Sequence, residues 1–453
     1  NLTCESHDKV TPVYRRILLF LIVAWAAFSA TDTACREPIF TWPHWRGPQA
    51  DGVAIDAQPP LNWSSESNVA WVAELPGEGT STPIVWGDRI FITAAIRTDQ
   101  KVDSPKDPRA LTTPPGFVYR FEVLCLSRID GSLIWQKTAV AQAPHEGIHP
   151  SHTYASGSPT TDGKNLFVSF GSRGNFCFTM DGELVWKRDF GEMRTRKGWG
   201  EATTPVVFDG KLIITQDQED ESSIYVLNTL DGSTIWQKDR PDEPTGWATP
   251  LVVKTDDQTL VVVQGTGLVR AYKLDTGEVV WSCGGQTVNA IPSPVRHGDT
   301  VICMSGYRKF VIHAIPINAL GEITETDSIR WIGSRGTPYV PSPVISKHRL
   351  YFTRANSGLL SCLNAATGEP IYEPQRLEKI GNMYASPIVA GGNVYFVARN
   401  GTTVIIKDSD TFEVVATNFL DDAIDASPVA VGKQLFLRSR TKLYCLQEAR
   451  KTD

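Results

Sequence analysis

Apolar residues along this chain come in short runs separated by turn-forming pairs, and eight of the runs open on a Ser/Thr-Pro dipeptide. The pairs are Thr82-Pro83, Ser158-Pro159, Thr204-Pro205, Thr249-Pro250, Ser293-Pro294, Ser342-Pro343, Ser386-Pro387 and Ser427-Pro428. From the second pair on, the prolines lie 46, 45, 44, 49, 44 and 41 residues apart. A period of about 40–50 residues marks a repeat architecture. Units of that size cannot bury a core alone, so they must stack, and function then sits on the surface that stacking creates.

The third unit shows what each repeat contains. Thr204-Pro205-Val206-Val207-Phe208 is followed by a turn at Asp209-Gly210-Lys211 and by Leu212-Ile213-Ile214. After a loop come Ile224-Tyr225-Val226-Leu227, a second turn at Asp231-Gly232-Ser233, and Thr234-Ile235-Trp236. Asp-Gly supplies the positive φ that a tight hairpin needs. Similar second turns precede Trp135, Trp186 and Trp281. Four short strands per unit describe a propeller blade, and helical periodicity is nearly absent. The last unit, from Ser427-Pro428 to Leu446, stops without a fourth strand, while Asn68-Val69-Ala70-Trp71 is a fourth strand with no blade before it. Pairing the two ends removes the free edges of an open array. The pattern therefore predicts an all-β, eight-bladed β-propeller of four-stranded antiparallel blades, closed by its N-terminal and C-terminal strands.

Tyr225-Val226-Leu227-Asn228 leading to Trp236, and Tyr272-Lys273-Leu274-Asp275 leading to Trp281, resemble the quinoprotein-type, PQQ-like propeller repeat; Cys362-Leu363-Asn364 to Gly368 is a degraded copy. The resemblance covers residues 63–448. The class includes calcium- and PQQ-dependent alcohol dehydrogenases and also non-enzymatic scaffolds such as the outer-membrane protein assembly lipoprotein. Trp45-Arg46-Gly47-Pro48 with Asp51-Gly52 looks like the opening of secreted, planctomycete-type members.

Charge and composition narrow the setting. A net charge of −6 and a pI near 5.8 give no basic field for nucleic acid or an anionic membrane. Arg15-Arg16 precede the apolar run Ile17–Phe28 and then small residues, the arrangement of a secretory signal peptide. This divides the chain into an upstream segment and signal peptide over 1–29, a lead-in over 30–62, the propeller over 63–448 and a tail over 449–453, in a mature protein that is periplasmic or secreted. Cys35 follows Asp32, which does not suit a lipobox. Cys125, Cys177, Cys362 and Cys445 share one repeat position between apolar neighbours and are expected to fill core space.

The residues just upstream of each Ser/Thr-Pro pair are expected to rim one mouth of the central channel: Glu78, Tyr154, Glu201, Trp247, Asn289, Tyr339, Tyr384 and Asp425. The corners between second and third strands should bring Arg173, Arg308, Arg354, Arg399 and Arg440 to the same face. The insertion at about residues 97–120 and the extension from His145 to His152 enlarge that face, as functional loops do. Such a polar, aromatic and arginine-bearing mouth suits a small anionic ligand or an envelope protein, with Tyr154, Arg173, Glu201, Trp247, Asn289, Arg308, Tyr339, Arg354, Tyr384 and Asp425 as the ligand-binding set. His149 and His152 read as hydrogen-bonded loop histidines rather than metal ligands, since ligation needs three or four converging groups. No hydrolase, zincin or phosphate-loop motif occurs. The favoured function is a monomeric, non-catalytic binding propeller with no cofactor. The alternative implied by the resemblance is a quinoprotein dehydrogenase in which Trp247 stacks on PQQ, Glu201 and Asn289 ligate calcium and Asp425 acts as base. Against it, no adjacent cysteine pair is present.

Overall fold

The computed structural model describes residues 40–449. The expected signal peptide, Cys35 and residues 450–453 lie outside the described residues. The eight units form eight sheets, five of four strands and three of five. Their innermost strands, numbered as blades 1 to 8, are Ile84–Trp86, Thr160–Thr161, Val206–Phe208, Leu251–Lys254, Val295–His297, Val344–Ser346, Ile388–Ala390 and Val429–Val431. Blade 3 continues outward through Lys211–Gln216, Ser223–Asn228 and Thr234–Asp239, each antiparallel to the last. Asp209 and Gly210 both take positive φ at its first turn (47° and 71°), as a two-residue hairpin requires.

Blades join through one repeated contact. In blade 3 a bulge between Val226 and Leu227 faces the outer strand at Trp236. The ring lies over Gly277 of blade 4, and its Nε1 donates to the Leu274 carbonyl at 2.7 Å. A Cβ on Gly277 would come within 2.7 Å of the indole, and its φ of 69° independently favours glycine. Trp135, Trp186 and Trp331 repeat this contact onto Gly182, Gly232 and Gly368. Between blades 6 and 7 the tryptophan is replaced by Tyr372 against Phe412, and Arg349 and Tyr351 bind Asp408 instead. The repeated cysteines are buried, reduced and part of this packing; burial pushes the Cys125 thiol up to about 12.

The ring closes as the two chain ends predicted. Val69–Glu74 pairs antiparallel with Lys442–Leu446, from Val69 opposite Leu446 to Glu74 opposite Lys442. Trp71 carries the tryptophan contact across the seam, donating to the Arg128 carbonyl and covering Gly131. Arg438, fully buried, adds bonds to the Ser81 and Thr93 carbonyls of blade 1.

The lead-in is built into the propeller. Thr41–Trp42 adds to the inner strand of blade 1, and Val53–Ala54 adds in parallel to that of blade 7. Between them, the Pro43 carbonyl accepts from Thr161 of blade 2, while Arg46 donates to the Pro343 and Pro387 carbonyls of blades 6 and 7. Blades 2 and 6 face each other across an eight-membered ring, so residues 43–46 must cross its axis. Gly52 lets the chain wrap Arg46, since a Cβ there would lie 2.4 Å from the guanidinium. The insertion near residues 97–120 is a long hairpin, Arg89–Lys101 with Phe117–Ser127, rather than a free loop. Among the described residues no helix is long and apolar enough to cross a membrane.

Candidate functional site

The hydroxyls of the Ser/Thr-Pro pairs form a belt around the axis. In seven of the eight blades this residue accepts the backbone amide of its neighbour's: Thr82 N to Ser158 Oγ at 2.9 Å, Ser158 N to Thr204 Oγ1 at 3.1 Å, and Thr249 N to Ser293 Oγ at 2.9 Å. The chain continues from Ser293 to Ser342, Ser342 to Ser386, Ser386 to Ser427, and back from Ser427 N to Thr82 Oγ1 at 3.2 Å. Thr204 N makes no such bond to Thr249, so the belt is open at the seam between blades 3 and 4. The proline after each hydroxyl has no N–H of its own to satisfy, and its fixed φ starts the inner strand.

All eight belt residues line an axial cavity of about 280 Å³. Trp45, on the segment that crosses the axis, lines it too. This cavity is the axial cup. Its remaining wall includes Trp199, Trp247, Tyr339, Tyr384, His149, His152 and Asp425. Trp247 is fixed by its Nε1 bond to the Gly200 carbonyl at 2.8 Å, and its ring lies 6.5 Å from that of Trp199 at 32°. Tyr339 stacks on Tyr307 at 4.9 Å. Asp425 is held by both nitrogen arms of Arg399, at 2.6 and 3.1 Å, while the same guanidinium covers the Tyr384 ring at 4.2 Å. His152 has both ring nitrogens engaged, by Ser156 Oγ and the Glu201 carbonyl, and burial lowers its pKa to about 4.

A second, smaller cavity of about 60 Å³ lies beside the cup between blades 2 and 3, lined by His145, Glu146, Tyr154, Arg173, Glu201 and Trp247 among others. Glu201 turns its carboxylate into the blade 2 corner, where the Ser172 amide donates to Oε2 at 2.6 Å and the Ser172 hydroxyl to Oε1. Burial outweighs these bonds and pushes the Glu201 carboxyl up to about 7. Glu146 binds the Thr195 amide and hydroxyl at 3.1 and 2.5 Å and is likewise raised by burial. The two carboxylates thus anchor the loop carrying Trp199. That loop is braced from outside by the long hairpin, whose Leu111 and Thr112 bond the Lys197 and Gly198 carbonyls.

The expected site residues therefore divide. Trp247, Tyr339, Tyr384 and Asp425 converge on the axial cup, and Tyr154, Arg173 and Glu201 line the side cavity. Asn289 is buried, at φ 59°, and lines neither cavity. Arg308 and Arg354 are exposed, lying over Tyr307 and Phe310, and are absent from both walls. Arg173 pairs with Glu192 at 2.5 Å, and Arg440 lies 3.8 Å from Glu78. The expected ring thus splits because an upstream residue is set by its own loop's path, not by the blade register alone. The same placement does not assemble a quinone–calcium donor set: Glu201 is spent on Ser172, Asn289 is outside the cup, and Asp425 is clamped by Arg399. Trp45, Trp199 and the belt hydroxyls were not singled out as site residues. The repeated Ser/Thr was the available signal for the belt.

Sequence comparison places the chain in a family. A family model described as outer membrane protein assembly factor BamB matches residues 120–373 and again 340–452. The chain belongs to this family of PQQ-like β-propeller proteins. No protein of curated function matches it in sequence. Among solved structures, BamB from Moraxella catarrhalis is similar at TM-score 0.54 and 14% identity, over 78% of this chain and 98% of that one. A europium-containing methanol dehydrogenase is similar at TM-score 0.61 and 11% identity, over 89% of each chain. The quinohemoprotein alcohol dehydrogenase from Comamonas testosteroni is similar at 0.57 and 10% identity, over 91% of this chain and 82% of that one. At such identities the likeness is one of fold.

Proposed function

We propose that this protein is a non-catalytic propeller, periplasmic or secreted, that holds a ligand or an envelope partner in and around its axial cup. The observation that carries this reading is the axial cup itself: a cavity of about 280 Å³ with aromatic walls and a hydroxyl belt. Ligand sites are concave, largely pre-formed and aromatic-rich, with few oriented polar groups. The belt hydroxyls stand just before the inner strands and are tied to one another by hydrogen bonds, which pre-forms the site. Membership in the family described by an outer membrane assembly factor supports an envelope setting, as does the signal-peptide pattern at Arg15–Phe28. The second reading, a PQQ- and calcium-dependent dehydrogenase, is supported by the dehydrogenase-like fold and by Trp247 at the cup; against it, the donors expected for it, Glu201, Asn289 and Asp425, are not brought together.

The test is ligand-dependent stabilisation. A compound that raises the melting temperature of the native protein should fail to do so in Trp247→Ala and Tyr384→Ala, with both variants folded by circular dichroism. A ligand that stabilises both variants as well as the native chain binds elsewhere and refutes the assignment of the cup.

A further inference from the structure

We infer that the axial cup takes a neutral carbohydrate, a single sugar ring or the end of a glycan; this rests on the cup being the ligand site. In the closed part of the belt each hydroxyl oxygen already accepts a neighbouring amide, and none of the eight belt hydroxyls donates to an acceptor among the described residues. Their O–H groups are left for the cavity they line. A serine or threonine hydroxyl keeps one donor and a second lone pair after accepting one bond. Such groups match the mixed donors and acceptors of a polyol.

Among the described residues the cup has one carboxylate, Asp425, and a two-armed bond from Arg399 neutralises it. Among the described residues no Lys or Arg lines the cavity; Arg173 faces the side cavity, and Arg308 and Arg354 lie outside both. An anion would therefore enter without a counter-charge. A cation would face a ring of hydroxyl donors, although aromatic walls alone would suit it. An apolar ligand would strip water from those donors without replacing its bonds. A neutral, hydroxylated ligand avoids all three costs.

Trp199 and Trp247 lie near one another, and Tyr339 and Tyr384 complete an aromatic wall above the belt. Sugar rings present flat C–H faces to such side chains and hydroxyl edges to the polar groups beyond. The Trp247 indole N–H is already used by the Gly200 carbonyl, so its contribution to a ligand is its face.

Tryptophan fluorescence of the full chain, titrated with glucose, galactose, N-acetylglucosamine, maltose and cellobiose, tests the inference. Glucuronate, citrate and glycine betaine serve as charged comparators. Saturable binding of at least one neutral sugar is expected, weakened about tenfold or more by Trp247→Ala. Trp247→Phe, which keeps a ring face, should stay within a few-fold of the native affinity, and that rescue separates lost stacking from lost folding. Binding of a charged comparator instead, sensitive to Trp247→Ala, overturns the carbohydrate and keeps the cup. Failure of every sugar at millimolar concentration overturns the carbohydrate. Sugar binding unaffected by Trp247→Ala overturns both the carbohydrate inference and the cup as its site.

Discussion

Replacing Thr82 by Val removes one hydroxyl from the belt while keeping the shape of the side chain. Its Oγ1 is the acceptor for the Ser427 amide at 3.2 Å, the bond that closes the belt between the last blade and the first. Both residues are buried, at 3% and 5% exposure, so the Ser427 amide is left without its protein acceptor. An orphaned buried amide costs about 1–3 kcal/mol, and Thr82→Val should lose that much. Thr249→Val supplies the internal control. It is the same chemical change at the equivalent position of blade 4, where the hydroxyl receives no amide bond, and it should cost under about 0.5 kcal/mol. Urea unfolding measures the two costs, and hydrogen exchange should show faster exchange at Ser427 in Thr82→Val alone. Equal costs for the two variants would refute the claim that the Ser/Thr repeat exists to link neighbouring blades.

Other variants probe separate parts of the architecture. Trp236→Phe should lose about 1 kcal/mol through its 2.7 Å bond to Leu274, and Gly277→Ala should lose more because the indole and the positive φ both oppose a Cβ; differential urea midpoints check the order. Deleting residues 40–75 removes the crossing segment and the closing strand together and should lower stability far beyond a frayed end, visible as increased proteolysis of the blade 8 strands. Burial raises the Glu201 carboxyl from 4.5 to about 7, so its contribution to stability is present below about pH 4.5 and is lost as pH rises through 7. Glu201→Gln should flatten that decline in a series of melting temperatures; an unchanged pH profile would remove Glu201 as its source.

Blade number, strand order and ring closure were legible because each rests on local chemistry repeated many times. Asp209-Gly210 specifies a hairpin by itself, and the orphan strand at Val69 and the unfinished blade at Leu446 specify each other. The site was less legible. Trp247, Tyr339, Tyr384 and Asp425 reach the cup as register predicts, whereas Glu201 is drawn aside by two bonds to Ser172 and Asn289 is buried. Those outcomes depend on partners distant in sequence, which repeat position does not encode. Trp199 escaped notice because it comes from a loop between repeats, and Trp45 because its place depends on Arg46 reaching carbonyls about 300 residues away. The serine and threonine of each pair were visible throughout, but their role as acceptors appears only when the blades meet.

Whether the cup holds a ligand without turning one over is tested most directly by reconstituting the protein with PQQ and calcium and following dye-linked alcohol oxidation. The donor placement around Trp247 predicts no PQQ retained after gel filtration and no rate above the protein-free blank. Stoichiometric retention of PQQ, with turnover that Trp247→Ala and Glu201→Gln both abolish, would contradict the account and establish the dehydrogenase reading in its place.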